Sequence, residues 1–144
     1  MTDAANTDIT SGCLYGANRY RVSVAPYSVV RCHCSLCRRA AGAPVVASAT
    51  FHRDEVEFTQ GEPKRYASSA TAWRRFCADC GTQTTFQFED RLGSIDLTLA
   101  SFDDPEAITP LHHIFAADRL SWLSVEDGLP RHPAFNPKPD EDGA

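Results

Sequence analysis

The chain has no apolar run of membrane-spanning length, so no transmembrane helix is expected. Its first ten residues, MTDAANTDIT, hold no lysine, no arginine and no apolar core. A secretory signal needs both features, so none is expected, and the default compartment is the cytoplasm. Positive charge is scarce as well: 14 Lys and Arg face 19 Asp and Glu, for a formal net charge of −5. Displacing counterions from phosphate needs a cationic surface, so nucleic acid is not an expected partner. No segment repeats at the periods of solenoids or propellers. What remains is a chain of 144 residues, 42% hydrophobic and 23% charged, the composition of an ordinary globular domain. That length suits one domain with a modest core.

Local patterns divide the chain into short strands. NRYRVSVAPYSVVRCHC reads as two strands around Pro26, with Tyr20, Val22 and Val24 on one face. SLCRRAAGA reads as one or two helical turns, stopped by Gly42 and Pro44. PVVASATF is the next strand, and VEFTQGEPKRYASS reads as a hairpin turning at Gly61-Glu62-Pro63. AWRRF runs into CADCG, and TQTTFQFE leaves it. SIDLTLASF alternates with Ile95, Leu97 and Leu99 on one side, and LHHIFAA closes the set. The fold class is therefore mostly β, in a single domain over residues 11–130. Residues 1–10 are expected to be flexible. Residues 131–144, rich in proline and poor in apolar side chains, are expected to form a disordered tail.

Cysteine is unevenly placed. Three of the six thiols fall within Cys32 to Cys37, and two more within Cys77 to Cys80. In a reducing compartment such clusters mean metal or redox chemistry more often than disulfides. In CADCGT, two thiols two residues apart sit on a tight turn whose N–H groups can point at sulfur, and Gly81 supplies the positive φ. Strand-like flanks make this a zinc-ribbon-like knuckle. No helix follows Cys80 to lower a thiol pKa, which weighs against a redox pair. Structural zinc takes four ligands, so Cys13 or the 32–37 cluster must contribute. On a strand Cys32 and Cys34 share a side, His33 faces the other way, and Cys37 folds back over one turn. The three sulfurs of Cys32, Cys34 and Cys37 can thus form a cup. One ion or two remains open at this point.

The pieces GCLYGANRY, RCHCSLCRRAAGAP, FCADCGTQ and HIFAADRLSWLSVEDGLP together resemble the glutathione-dependent formaldehyde-activating enzyme family, which includes centromere protein V. The likeness runs from about Gly12 to Pro130. It implies an Mss-four-like fold of small coiled antiparallel sheets related to zinc ribbons. It implies two zinc sites: a catalytic one on Cys32, Cys34 and Cys37, and a structural one on Cys13, Cys77 and Cys80. The family's second early cysteine is replaced here by Tyr15. A fourth ligand could then be water, His33, His52 or a cysteine borrowed from the cup. Tyr15 could instead fill the gap by packing, or one ion could recruit Cys13, Cys34, Cys77 and Cys80.

The resemblance also implies a function. It is a carbon–sulfur lyase-like zinc enzyme, akin to an S-(hydroxymethyl)glutathione synthase, acting on a glutathione or other small-thiol adduct of an aldehyde such as formaldehyde. The alternative is a non-enzymatic zinc module that binds a partner. Glutathione is anionic, and Arg38 and Arg39, just after the cup, are candidate carboxylate holders. The simpler reading of both is a solvated helix face. One of Arg74 and Arg75 should turn inward, if only to pack its stem, and one of His112 and His113 should be a hydrogen-bonded core residue. Phe86 and Phe88 read as core. Trp73 and Trp122 read as core or pocket wall.

Overall fold

The structure, a computed structural model, describes residues 8–137. It is mostly β. Strands β1 (Ile9–Gly12), β2 (Arg19–Val22) and β5 (Val56–Gln60) form a three-stranded antiparallel sheet in the order β1-β2-β5. Strands β3 (Ser28–Cys32), β4 (Val46–His52), β6 (Lys64–Ser69), β7 (Ala72–Phe76), β8 (Gln83–Phe88), β9 (Ser94–Thr98) and β10 (His112–Ile114) form a seven-stranded sheet. Its order is β10-β3-β4-β9-β8-β7-β6, and only the β10–β3 pair is parallel. One short helix, α1 (Ser35–Ala41), follows β3.

Alternation gives each side of the large sheet its own task. Val29, Ala49 and Leu97 stand opposite one another across β3, β4 and β9, and all three are buried. With Phe51 and Ile95 they pack against Ile9, Tyr20, Val22 and Val56 of the small sheet, so the core lies between the two sheets. The other face carries the row Arg74, Phe86, Asp96 across β7, β8 and β9, and this face opens onto a cavity. The reading of Phe86 and Phe88 as core is therefore corrected. Both line the cavity, while Thr85 and Gln87 between and before them are buried.

The expected hairpin at residues 56–69 is also corrected. β5 pairs with β2, and β6 pairs with β7, so the two belong to different sheets. Val56 is buried and Phe58 packs edge-on to Tyr20, which draws β5 onto the small sheet. β6 has no buried residue and takes the open edge. The chain does turn at Gly61, with φ of 70°. A Cβ there would lie 2.2 Å from the Ala17 carbonyl oxygen. Gly61→Ala is accordingly expected to cost at least about 2 kcal/mol and to lower Tm by several degrees in a thermal melt. A parent-like Tm would contradict this account of the turn.

Both ends of the described chain are held. β1 begins at Ile9, inside the stretch expected to be flexible, and Ile9 is buried. Residues 131–137 fall in the expected tail, yet they run beside β10. His132 N–H donates to the His113 carbonyl, Phe115 N–H to Ala134 and Ala116 N–H to His132. The remainder of both segments, 1–7 and 138–144, lies outside the described residues.

Candidate functional site

All six cysteines are free thiols, and their sulfurs gather as two separate triads, Cys32/Cys34/Cys37 and Cys13/Cys77/Cys80. Within each triad the sulfurs lie within 4.8 Å of one another. Cys32 ends β3 pointing inward, and Cys34 caps α1 in an extended conformation. The Cys37 backbone N–H donates to Cys34 Sγ at 3.3 Å, and Cys32 Sγ stands 3.6 Å from Cys37 Sγ. Gly42, with φ of 65°, ends the helix and donates to the Arg38 carbonyl. The strand end plus one capped turn is thus what builds the cup.

The second triad comes from two facing turns. Cys77 N–H bonds the Thr82 carbonyl, Gly81 N–H bonds the Cys77 carbonyl, and Asp79 N–H points at Cys77 Sγ at 3.3 Å. On the facing turn Asn18 N–H points at Cys13 Sγ, also at 3.3 Å. Leu14 N–H donates to the Thr82 hydroxyl, which ties the turns together. Tyr15 is 73% exposed, so it does not fill this site by packing.

The donor set fits a metal ion. Sulfurs placed tetrahedrally at about 2.3 Å from zinc stand about 3.8 Å apart, close to the Cys32–Cys37 separation. N–H groups aimed at sulfur favour thiolate. The Cys80 thiol is pulled down to about 6, first by the Thr82 hydroxyl and then by the backbone N–H groups of Thr82 and Tyr15. Cys34 is driven far below the usual thiol range, because the thiols of Cys32 and Cys37 donate to it. Cys32 moves up for the same reason. No residue of one triad joins the other, so the arrangement in which Cys34 is shared with Cys13, Cys77 and Cys80 is not the one adopted. Neither His33 nor His52 joins a triad.

The cup opens on a cavity of about 210 Å³. Arg74 reaches into it from β7. Its Nη2 lies 3.8 Å from Cys37 Sγ, its Nε donates to Ser68 Oγ at 3.1 Å, and its guanidinium covers the Phe86 ring at 4.7 Å. It is 6% exposed, so this is the arginine that turns inward, for its charge as well as its stem. Asp96 shares the cavity and accepts from Thr50 Oγ1 at 2.7 Å. Burial pushes its carboxyl up to about 6. Sequence patterns singled out neither role: Arg74 was one of two equivalent arginines, and Asp96 looks like the polar half of an alternating strand. Arg38 and Arg39 do not line the cavity. Arg38 Nη1 instead donates to the carbonyls of His33 and Asp118, tying α1 to the turn after β10, and Arg39 is exposed. Trp122 is 71% exposed, and Trp73 donates to Glu89, so neither is cavity wall.

His33 lies behind the cup, fully buried. Its Nε2 is 2.9 Å from His113 Nδ1, and His113 Nε2 is 2.9 Å from Asp127 Oδ2. The carboxylate fixes the proton on His113 Nε2, so His113 Nδ1 accepts from His33. Leu129 N–H in turn bonds Asp127. The DGLP segment thus anchors the strand that carries Cys32 through two histidines.

A model of the glutathione-dependent formaldehyde-activating enzyme family matches residues 8–118, more than half the chain and including both cysteine triads. The chain belongs to this family. A Schizosaccharomyces pombe protein named as an uncharacterized lyase is 32% identical over 76 residues, covering 53% of this chain and 55% of that protein. The match thus spans about half the length of that relative. A crystal structure of a Rhodobacter sphaeroides protein superposes with a TM-score of 0.56 at 24% identity, covering 70% of this chain and 91% of that one, and shares the fold. No helix of the described residues is long and apolar enough to cross a membrane.

The buried carboxyl has a measurable consequence. Asp96 holds its proton up to about pH 6 when folded, against an ordinary value of 3.8. Between these values the native state binds more protons than the unfolded state, so stability falls as pH rises through the window. Above about pH 6 the full cost applies, on the order of 3 kcal/mol. Asp96→Asn keeps a partner for Thr50 and removes that cost. Its urea-unfolding stability is expected to exceed the parent's at pH 7.5, with the difference vanishing near pH 4. Equal pH profiles would contradict the assignment.

Proposed function

We propose that the chain is a zinc-dependent carbon–sulfur lyase-like enzyme, forming and cleaving the adduct of a small thiol such as glutathione with a small aldehyde. The observation that carries this reading is the convergence of three sulfurs on the mouth of a cavity that also holds one guanidinium and one raised carboxyl. Cys32, Cys34 and Cys37 would hold the catalytic zinc, and Cys13, Cys77 and Cys80 a structural one. A metal bound by three thiolates makes an incoming thiol acidic.

The chain's own residues supply the remaining chemistry. In the adding direction the Asp96 carboxylate takes the thiol proton. The sulfur lone pair forms the C–S bond, and the carbonyl π pair moves onto oxygen. Asp96 then returns the proton to that oxygen, so atoms and charge balance without an outside oxidant. Arg74 lies beside Cys37 and can stabilise the oxygen while it is negative. The reverse sequence breaks the adduct. A carboxyl near pKa 6 suits both directions, since it can hold or release a proton close to neutrality.

Exchange spectroscopy by NMR on glutathione, formaldehyde and their hydroxymethyl adduct tests this reading. The protein is expected to raise the exchange rate above the uncatalysed rate, and a conservative Arg74→Lys to lower that gain about 10- to 100-fold. An exchange rate unchanged by protein would leave the alternative, a zinc module with a binding role.

A further inference from the structure

The cavity beside the cup is walled by aromatic rings. Phe86 and Phe88 enter it from β8, Phe115 from just after β10, and Phe135 from the C-terminal segment. They pack edge-on in a chain: Phe86 to Phe88 at 4.9 Å, Phe88 to Phe135 at 6.3 Å, and Phe135 to Phe115 at 4.9 Å. Val30 and Ile114 continue the apolar lining toward Cys32.

Two features point to a wall built for a ligand. Phe115 has φ of 53°, the only non-glycine residue among the described residues in the left-handed region. Holding a bulky side chain there costs on the order of 1–2 kcal/mol, and in this fold it sends the ring into the cavity. Phe135 lies past residue 118, where the family match ends, so this ring is supplied by chain outside the matched segment.

The polar inventory does not suit glutathione and formaldehyde alone. Glutathione carries two carboxylates and an ammonium, and formaldehyde has no substituent. The cavity offers one guanidinium, already engaged by Cys37, Ser68 and the face of Phe86. Neither reactant would cover four rings.

We propose that the adduct handled at this cup bears a compact apolar substituent, phenyl-sized or branched alkyl, next to its sulfur–carbon bond, and that Phe88, Phe115 and Phe135 hold it. This rests on the thiol–aldehyde reading above. The substituent could enter on the aldehyde or on the thiol; the two hemithioacetals differ, but each places an apolar group next to the sulfur–carbon bond beside the cup.

The full-length protein as purified is titrated by calorimetry with three stable thioethers: S-methylglutathione, S-benzylglutathione and the benzyl thioether of mercaptoethanol. Burying a phenyl-sized group is worth about 10- to 100-fold in Kd. S-benzylglutathione is therefore expected to bind at least about tenfold tighter than S-methylglutathione. Phe135→Ala should shrink that ratio to below about threefold; Phe135 is 53% exposed, so its truncation spares the core. Equal affinity for the two glutathione thioethers overturns the proposal, and so does a benzyl preference that Phe135→Ala leaves intact. Exchange spectroscopy then compares phenylacetaldehyde with glutathione, formaldehyde with phenylmethanethiol, and formaldehyde with glutathione. Faster exchange in either apolar arm supports the proposal and identifies the reactant that carries the substituent. Catalysed formaldehyde–glutathione exchange without any benzyl preference overturns the proposal and leaves the proposed reaction standing. Benzyl binding with no catalysed exchange in any arm overturns the reaction while the wall keeps its ligand.

Discussion

Cys77→Ser or Cys80→Ser is expected to lower Tm by more than about 10 °C and to cut soluble yield sharply. The reason is local. Residues 77–82 form a turn held by two backbone hydrogen bonds and by contacts between N–H groups and sulfur, with few apolar side chains of its own. Cys77 is 1% exposed, so its sulfur is buried among other thiols rather than in a hydrocarbon core. Metal bound at such a knuckle contributes about 10–16 kcal/mol of apparent binding energy in isolated zinc-finger peptides. Net domain stability is only about 5–15 kcal/mol, so losing most of the former is enough to unfold the chain. The same turn ties Cys13 and the loop after β1 to β8 through Leu14 and Thr82, so the effect reaches the small sheet. Differential scanning calorimetry on both variants checks this, and melts like the parent's would show that the second triad is not structural.

Cys34→Ser is expected to do the opposite: to leave the fold nearly intact and remove activity. Cys34 is the N-cap of α1, and its sulfur accepts the Cys37 N–H. Serine is among the preferred N-cap residues and accepts the same bond, so the helix start survives. Serine is not a thiolate, however, and the cup loses the sulfur most inclined to carry negative charge. Removing even an outer partner of a metal ligand costs about 10–100-fold in affinity or activity, so removing a ligand should cost at least about 100-fold. Catalysed exchange should fall to near the solution rate while Tm moves by only a few degrees. A variant that unfolds and loses all its metal would contradict the independence of the two triads.

The gathering of the cysteines was legible in the sequence because short spacings on a strand end and a tight turn bring sulfurs together. Cys32, Cys34 and Cys37 meet as strand alternation and one helical turn require, and Gly81 turns with positive φ where the knuckle needs it. Strand positions were legible from alternation, as at Ile95 and Leu97, both buried. Sheet membership was not. Residues 56–69 carry the marks of a hairpin, but whether β5 pairs with β6 or β2 depends on the core that Tyr20 and Phe58 share, which no local pattern encodes. The cavity was hidden for a related reason. Alternating Phe86 and Phe88 look the same whether their face meets a second sheet or a cavity. Tyr15 misled in another way: it stands at the family's ligand position, but β1 ends at Gly12 and the side chain turns outward.

The zinc-to-chain ratio of the purified protein, measured by elemental mass spectrometry against amino-acid analysis, tests the central claim most directly. Two separate triads predict a ratio of two. A ratio near zero, with all six thiols open to titration, would contradict the account and make this a thiol protein without a resident metal.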